Sequence, residues 1–276
     1  MKGIDISRAF YEEYGKPMLE NDFPNLLSKI AVGFVGSGSE RYGFDDTFSR
    51  DHDFEAGFAI FLPDETVIDR RTEFLLERAY NKLPKEFMGV KREMLSPVGG
   101  NRNGPIRTAR FYTEKVGSPD GALTDIDWLK LPDYALFEAT NGEVFYDGYG
   151  EFTRIRESLS NQPEDIKLKK LAGSLLIMAQ SGQYNYPRCV LRGEAEASVL
   201  ALSEFVRSAV KVLFLLANRY EPYYKWSFHC LKTFEDGEIT SKLSYLLLSG
   251  SENSEKKYEI IEEICTAVAQ KLTDKH

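Results

Sequence analysis

Asp51 and Asp53 stand two residues apart in the run "FSRDHDFEAGFAIFLP". On a β-strand such residues project to the same side. Carboxylates held side by side repel each other unless a cation lies between them or one takes a proton. Closely spaced oxygen ligands of this kind suit Mg²⁺, which bridges a few carboxylates to the phosphates of a substrate. Just upstream, "GSGS" at 36–39 offers backbone N–H groups and hydroxyls from small residues in a tight turn, a setting that accepts phosphate oxygens. A phosphate-cradling turn followed by a metal-holding carboxylate pair is the logic of nucleotidyl transfer, in which the metal neutralises a triphosphate and orients an attacking group.

Each of these residues also has a plainer reading. Many surface strands carry alternating acids, and a Gly-Ser turn by itself carries little specificity. Asp45 and Asp46 read as turn or helix-capping residues. His52, on the opposite face from the two acids, reads as a packed, hydrogen-bonded side chain.

The elements that must hold this window follow from pattern. "SRAFYEEYGKPMLENDFPNLLSKI" is helical, with a break expected around Gly15 to Pro17. "IAVGFVGSGSE" reads as a short buried strand entering the turn, and "RDHDFEAGFAIFLP" as a second strand ending at Pro63. An amphipathic helix is expected over "ETVIDRRTEFLLERAYNKLP", closed by Pro84. Residues 89–108 are glycine-rich and irregular, with a short strand at "IRT"; "ARFYTEKVG" and "DIDWLKLPDYALFEAT" read as helices and "GEVFYDGYGEF" as a strand. From about Ile155 the texture turns helical throughout. The expected architecture is therefore an α+β domain with a mixed sheet and helices over 1–157, followed by an all-α helical bundle over 158–276.

Composition narrows the function. The chain has 276 residues, 42% of them hydrophobic, enough for a large core or two smaller ones. A net charge of -8 argues against non-specific binding to DNA or anionic membranes. No apolar run reaches the ~20 residues a membrane span needs. The N-terminal segment lacks a signal-peptide pattern, and the odd set Cys189, Cys230 and Cys265 reads as reduced thiols, so a cytoplasmic location is expected.

The order strand, Gly-Ser, spacer, Asp-x-Asp resembles the nucleotidyltransferase superfamily that includes DNA polymerase beta, the aminoglycoside nucleotidyltransferases and the minimal nucleotidyltransferases. Gly38 and Ser39 carry the match, with Asp51 and Asp53 after an eleven-residue spacer. The longer string "GSGSERYGFDDTFSRDHDFEAGF", with "NGEVFYDGYGEF" and "RYEPYYKW", resembles a bacterial family containing a domain of unknown function. The resemblance implies that Gly38 and Ser39 contact the β- and γ-phosphates of an NTP, with ATP the expected one. It implies that Asp51 and Asp53 hold Mg²⁺ or Mn²⁺. The superfamily often adds a third carboxylate on a later strand; here that strand should be near "GPIRT", where Arg107 stands instead. Glu55 would share the side of Asp51 and Asp53 on a regular strand and is the candidate substitute; it also reads as an exposed strand residue.

In the helical half, "VLFLLANRYEPYYKW" sets Tyr220, Tyr223, Tyr224 and Trp226 around Arg219 and Lys225. These aromatics suit a seal of the helical bundle against the first domain. A binding role would use Lys225 on a phosphate and Tyr224 as a stacking surface for a base, with Arg50 also offsetting charge. Leu175, Leu176 and Met178 read as core, and Lys257 as an ordinary surface lysine of the last helix. The function expected from all this is Mg²⁺-dependent transfer of an NMP from an NTP to a hydroxyl, releasing pyrophosphate. The acceptor is a small molecule, a protein or a tRNA end. A catalytically impaired nucleotide-binding protein, suggested by the missing third acid, and an AMP-transferring member of a toxin–antitoxin pair are the alternatives.

Overall fold

The computed structural model describes residues 1–49, 55–92, 102–235, 237–250 and 253–274, with the backbone of Arg50. It divides into two compact units, Met1–Gln162 and Pro163–His276. Asp51, His52 and Asp53 lie outside the described residues.

The first unit is built on a four-stranded mixed sheet. β1 (Ala31–Phe34) pairs antiparallel with β2 (Ala59–Leu62) and with β6 (Glu143–Asp147), while β5 (Gly104–Arg107) runs parallel to β2, giving the order β5-β2-β1-β6. β3 (Glu86–Phe87) and β4 (Val90–Lys91) form a separate small hairpin, its second strand at the start of the segment 89–108 expected to be irregular. Every residue of β1 and β2 is buried, as strands covered on both faces must be. On one face, Val32, Ile60 and Leu62 join Ile6, Phe10 and Tyr11 of the first helix with Leu76 and Tyr80 of α4 (Arg70–Tyr80) in a single apolar cluster. On the other, Phe61 stacks on Phe152 of α8 (Glu151–Ser160) at 4.0 Å and meets Phe111 of α5 (Thr108–Val116) edge-on at 5.3 Å. Between those helices the chain passes through α6 (Asp125–Lys130) and α7 (Asp133–Thr140).

The first helix does not break at Gly15 to Pro17. α1 (Gly3–Phe10) continues through a π-turn, Tyr11–Gly15, into α2 (Lys16–Asp22). Lys16 N–H reaches back five residues to the Tyr11 carbonyl. The widened turn relieves the clash a proline ring ordinarily makes with the preceding turn, so the helix continues across Pro17.

The strand at β2 is also shorter than expected. It begins at Ala59, and residues 55–58 are not strand. The backbone just before it is tied elsewhere: Gly57 O accepts from Ser7 Oγ at 2.6 Å, and Phe58 N–H donates to the Tyr80 hydroxyl at 3.1 Å. Two-residue alternation therefore does not reach Glu55.

In the second unit, the described residues form α9 (Glu164–Met178), a π-turn (Ala179–Asn185), α10 (Tyr186–Leu191), α11 (Ala195–Leu216), α12 (Tyr224–Leu231), α13 (Gly237–Leu248) and α14 (Ser254–Thr273). α11 is the centre of this unit, burying Phe205, Ala209, Val212, Leu213 and Phe214 against its neighbours. Met178 is buried as expected and Leu175 is half-buried, but Leu176 is 69% exposed. Among the described residues no helix is long and apolar enough to cross a membrane.

Candidate functional site

The turn after β1 is built from side-chain anchors. Asn141 grips Gly36 at both ends, accepting from its N–H at 2.8 Å and donating to its carbonyl at 2.7 Å. Gly38 caps α3 (Ser39–Tyr42), its carbonyl accepting from Arg41 and Tyr42 N–H, both at 3.1 Å. At φ 126° and ψ 141°, Gly38 occupies a region L side chains rarely adopt. Glu40 folds back over it, so that a Cβ there would sit 2.3 Å from Glu40 Oε1.

Behind the turn lies a buried ion pair. The Arg41 guanidinium, 3% exposed, meets Glu40 at 2.5 Å and also donates to the Ser37 carbonyl at 3.3 Å and to Asn103 Oδ1 at 3.1 Å. It lies 4.3 Å over the Phe34 ring. Burial pulls the Arg41 pKa down, and the Glu40 charge offsets part of this. Asn103 in turn donates to Glu55 at 3.0 Å, so the residue expected as a substitute acid is joined to the turn through an amide and an arginine.

A second network holds the front of the turn. The Glu138 carboxylate accepts from Ser37 Oγ at 2.5 Å, from the Tyr42 hydroxyl at 2.6 Å and from Lys115 Nζ at 2.6 Å. Lys115 also donates to Ser37 Oγ. Burial works to raise the Glu138 pKa, but the Lys115 charge and the three hydrogen bonds outweigh it, and the net shift is downward. Burial and the Glu138 bond raise that of Tyr42.

These groups open onto a cleft of about 330 Å³ between the turn, β5, α4 and α5. Five cationic side chains line it, Arg41, Arg102, Arg107, Arg110 and Lys115, against the carboxylates of Glu73, Glu77 and Glu114. Glu40 and Glu138, which neutralise Arg41 and Lys115, do not line the wall. Arg107 occupies the strand where a third acid was expected. It is tied to Glu73 at 2.5 Å and to the carbonyls of Pro63 and Ile68 at 2.6 and 2.9 Å, so it braces β5 against the start of α4.

The expected site residues fall into three groups. Gly38 and Ser39 sit at the turn, Ser39 as the first residue of α3. Arg50 ends a 3-10 turn, Phe48–Arg50, whose N-terminus Asp46 caps by accepting from Phe48 and Ser49 N–H at 2.9 and 3.0 Å. Asp45, similarly, accepts from Gly3 N–H at 3.0 Å at the start of α1. Lys225 and Tyr224 open α12 in the second unit; Lys225 Nζ lies 5.5 Å over the Trp226 ring, and Tyr224 packs on Tyr223 at 4.5 Å. Among the described residues no three His, Cys, Asp or Glu side chains gather as a metal site, the expected ligands Asp51 and Asp53 lying outside them.

Sequence reasoning passed over Ser37, Lys115, Glu138 and Asn141. Ser37 was visible in "GSGS"; the other three lie 78 to 105 residues further on, and no spacing signals them.

The chain was compared with known proteins. The family model described as "Domain of unknown function (DUF4037)" matches residues 128–227, which excludes the Gly-Ser turn. No curated protein matches. Among solved structures, the chain is weakly similar to the nucleotidyltransferase-like protein from Exiguobacterium sibiricum 255-15, at 11% identity and a TM-score of 0.38, over 97% of this chain and 74% of that one.

Proposed function

We propose that the chain is a Mg²⁺-dependent nucleotidyltransferase that moves an NMP from an NTP to a hydroxyl acceptor. The observation that supports this best is the Gly-Ser turn, whose Gly36 and Ser37 line a cleft that also carries five cationic side chains. In this reading the phosphates lie along Gly38 and Ser39, with Arg50 offsetting charge.

Asp51 and Asp53 would hold the metal, which supplies charge neutralisation at the triphosphate when bound. The acceptor hydroxyl oxygen forms a bond to the α-phosphorus, the bond from that phosphorus to the bridging oxygen breaks, and pyrophosphate leaves with the electron pair. The hydroxyl proton passes to a carboxylate, for which Glu55 is the candidate. ATP is the expected donor, and a small molecule, a protein or a tRNA end the acceptor. Arg107, braced by Glu73 where a third acid would stand, favours a second reading in which the nucleotide is bound without transfer.

Thermal shift with and without Mg²⁺ tests the first reading. Mg·ATP at a hundredfold excess over Kd stabilises a single-site protein by about 2.7 kcal/mol. Asp53→Asn is expected to abolish the metal-dependent part of that gain, and an unchanged gain counts against the site. Pyrophosphate release across a panel of acceptors separates transfer from binding alone.

A further inference from the structure

We infer that Lys115, on α5, is a cation that takes a phosphate oxygen in this cleft, and that Glu138 holds it in reserve for that ligand. This rests on the proposed nucleotide site and names a residue of it. Lys115 is placed by three observations. Its ammonium reaches Ser37 Oγ, its Cε lies 3.9 Å from where a Cβ on Gly36 would be, and it lines the cleft. The lysine therefore runs alongside the turn that the phosphates would follow.

An ammonium carries three donors. Ser37 Oγ and Glu138 Oε2 take two of them among the described residues, which leaves one for a ligand. Three of the other four cations of the wall are differently committed. Arg107 is fixed by one carboxylate and two carbonyls. Arg41 is 3% exposed and locked by Glu40. Arg110 pairs with Glu114 one turn further along α5, and both side chains are mostly exposed. Lys115, at 19% side-chain exposure, is shielded enough for its charge to count and open enough to be reached. Glu138 accepts from two other donors as well, Ser37 and Tyr42. An arriving phosphate can draw on Lys115 without leaving Glu138 bare.

The test is calorimetric titration of the full chain with Mg·ATP and with magnesium tripolyphosphate, which has phosphates but no base. Lys115→Met is expected to weaken both by at least about fivefold, the scale of one charge-assisted hydrogen bond. Glu138→Gln keeps an oxygen acceptor and removes the competing charge, so its binding is expected at wild-type strength or tighter. A smaller loss in Lys115→Met overturns the inference while leaving the nucleotide site standing. So does a Glu138→Gln loss as large as that of Lys115→Met, which would mark the network as structural. If the wild-type chain binds neither probe, the proposed function falls and this inference with it. Should Lys115→Met fail to fold, the double variant Lys115→Met/Glu138→Gln removes the uncompensated carboxylate and is read against Glu138→Gln by the same criterion.

Discussion

Glu138 gathers hydrogen bonds from Ser37 in the turn, Tyr42 in α3 and Lys115 in α5, and so fixes three segments with one carboxylate. Its pKa in the folded chain lies below the ordinary 4.5. For a depressed acid, the stabilisation is fully present above the unfolded value and is lost as pH falls through the folded one. Wild-type stability is therefore expected to fall more steeply below pH 4.5 than that of Glu138→Gln, as read from urea midpoints between pH 6 and pH 3. Parallel curves would remove Glu138 from the acid-sensitive groups. Gly38 gives a second prediction at this scale. An alanine there meets both the strain of φ 126° and the Glu40 carboxylate. Gly38→Ala is expected to cost about 1–3 kcal/mol in denaturant unfolding, and a neutral result would mean that the turn can rearrange.

Two helices, one in each unit, solve the same problem in the same way. In the first, Lys16 N–H bonds to the Tyr11 carbonyl just before Pro17; in the second, Tyr186 N–H bonds to the Ser181 carbonyl just before Pro187. Each π-turn also holds a glycine against a phenylalanine ring: Gly15 against Phe58 and Gly182 against Phe205. A Cβ on Gly182 would lie 2.3 Å from Phe205 Cδ2, whereas one on Gly173, in the regular part of α9, meets nothing within 4 Å. The two substitutions should therefore have opposite signs. Gly182→Ala is expected to destabilise by about 1–3 kcal/mol through overpacking. Gly173→Ala is expected to stabilise by about 0.5–1 kcal/mol through backbone entropy. Urea midpoints of equal sign would show that the ring yields.

At the scale of the whole molecule, the chain carries two cores, one on the sheet of 1–162 and one around α11 in 163–276. The cleft is lined entirely by the first unit. If the second unit also contributes to nucleotide binding through Lys225, Lys225→Ala should weaken Mg·ATP binding several-fold in the titration, while the exposed Lys232→Ala leaves it unchanged; equal effects would remove Lys225 from the site. Lys257 is unsuited to serve as that control. It is 5% exposed, its ammonium donating to the Ser249 carbonyl at 2.9 Å, although its charge reads as that of a surface residue.

The sequence by itself determined the strand–turn start of the first unit, the helical texture of the second, and the cap at Asp46, because these rest on period, turn residues and short-range hydrogen bonds; Asp45 caps α1 from 42 residues away. Local rules misplaced what depends on distant partners. The helix crosses Pro17 because a π-turn absorbs it, and β2 begins at Ala59 because Ser7 and Tyr80 take the backbone groups just before it. Glu138, Lys115 and Asn141 reach the turn through tertiary packing, across 78 to 105 residues, and no periodicity marks contacts of that span. The residue types of the Gly-Ser turn are written in the chain. Which lysine and which carboxylate stand beside it was decided by how α5 and α7 pack at the end of β1.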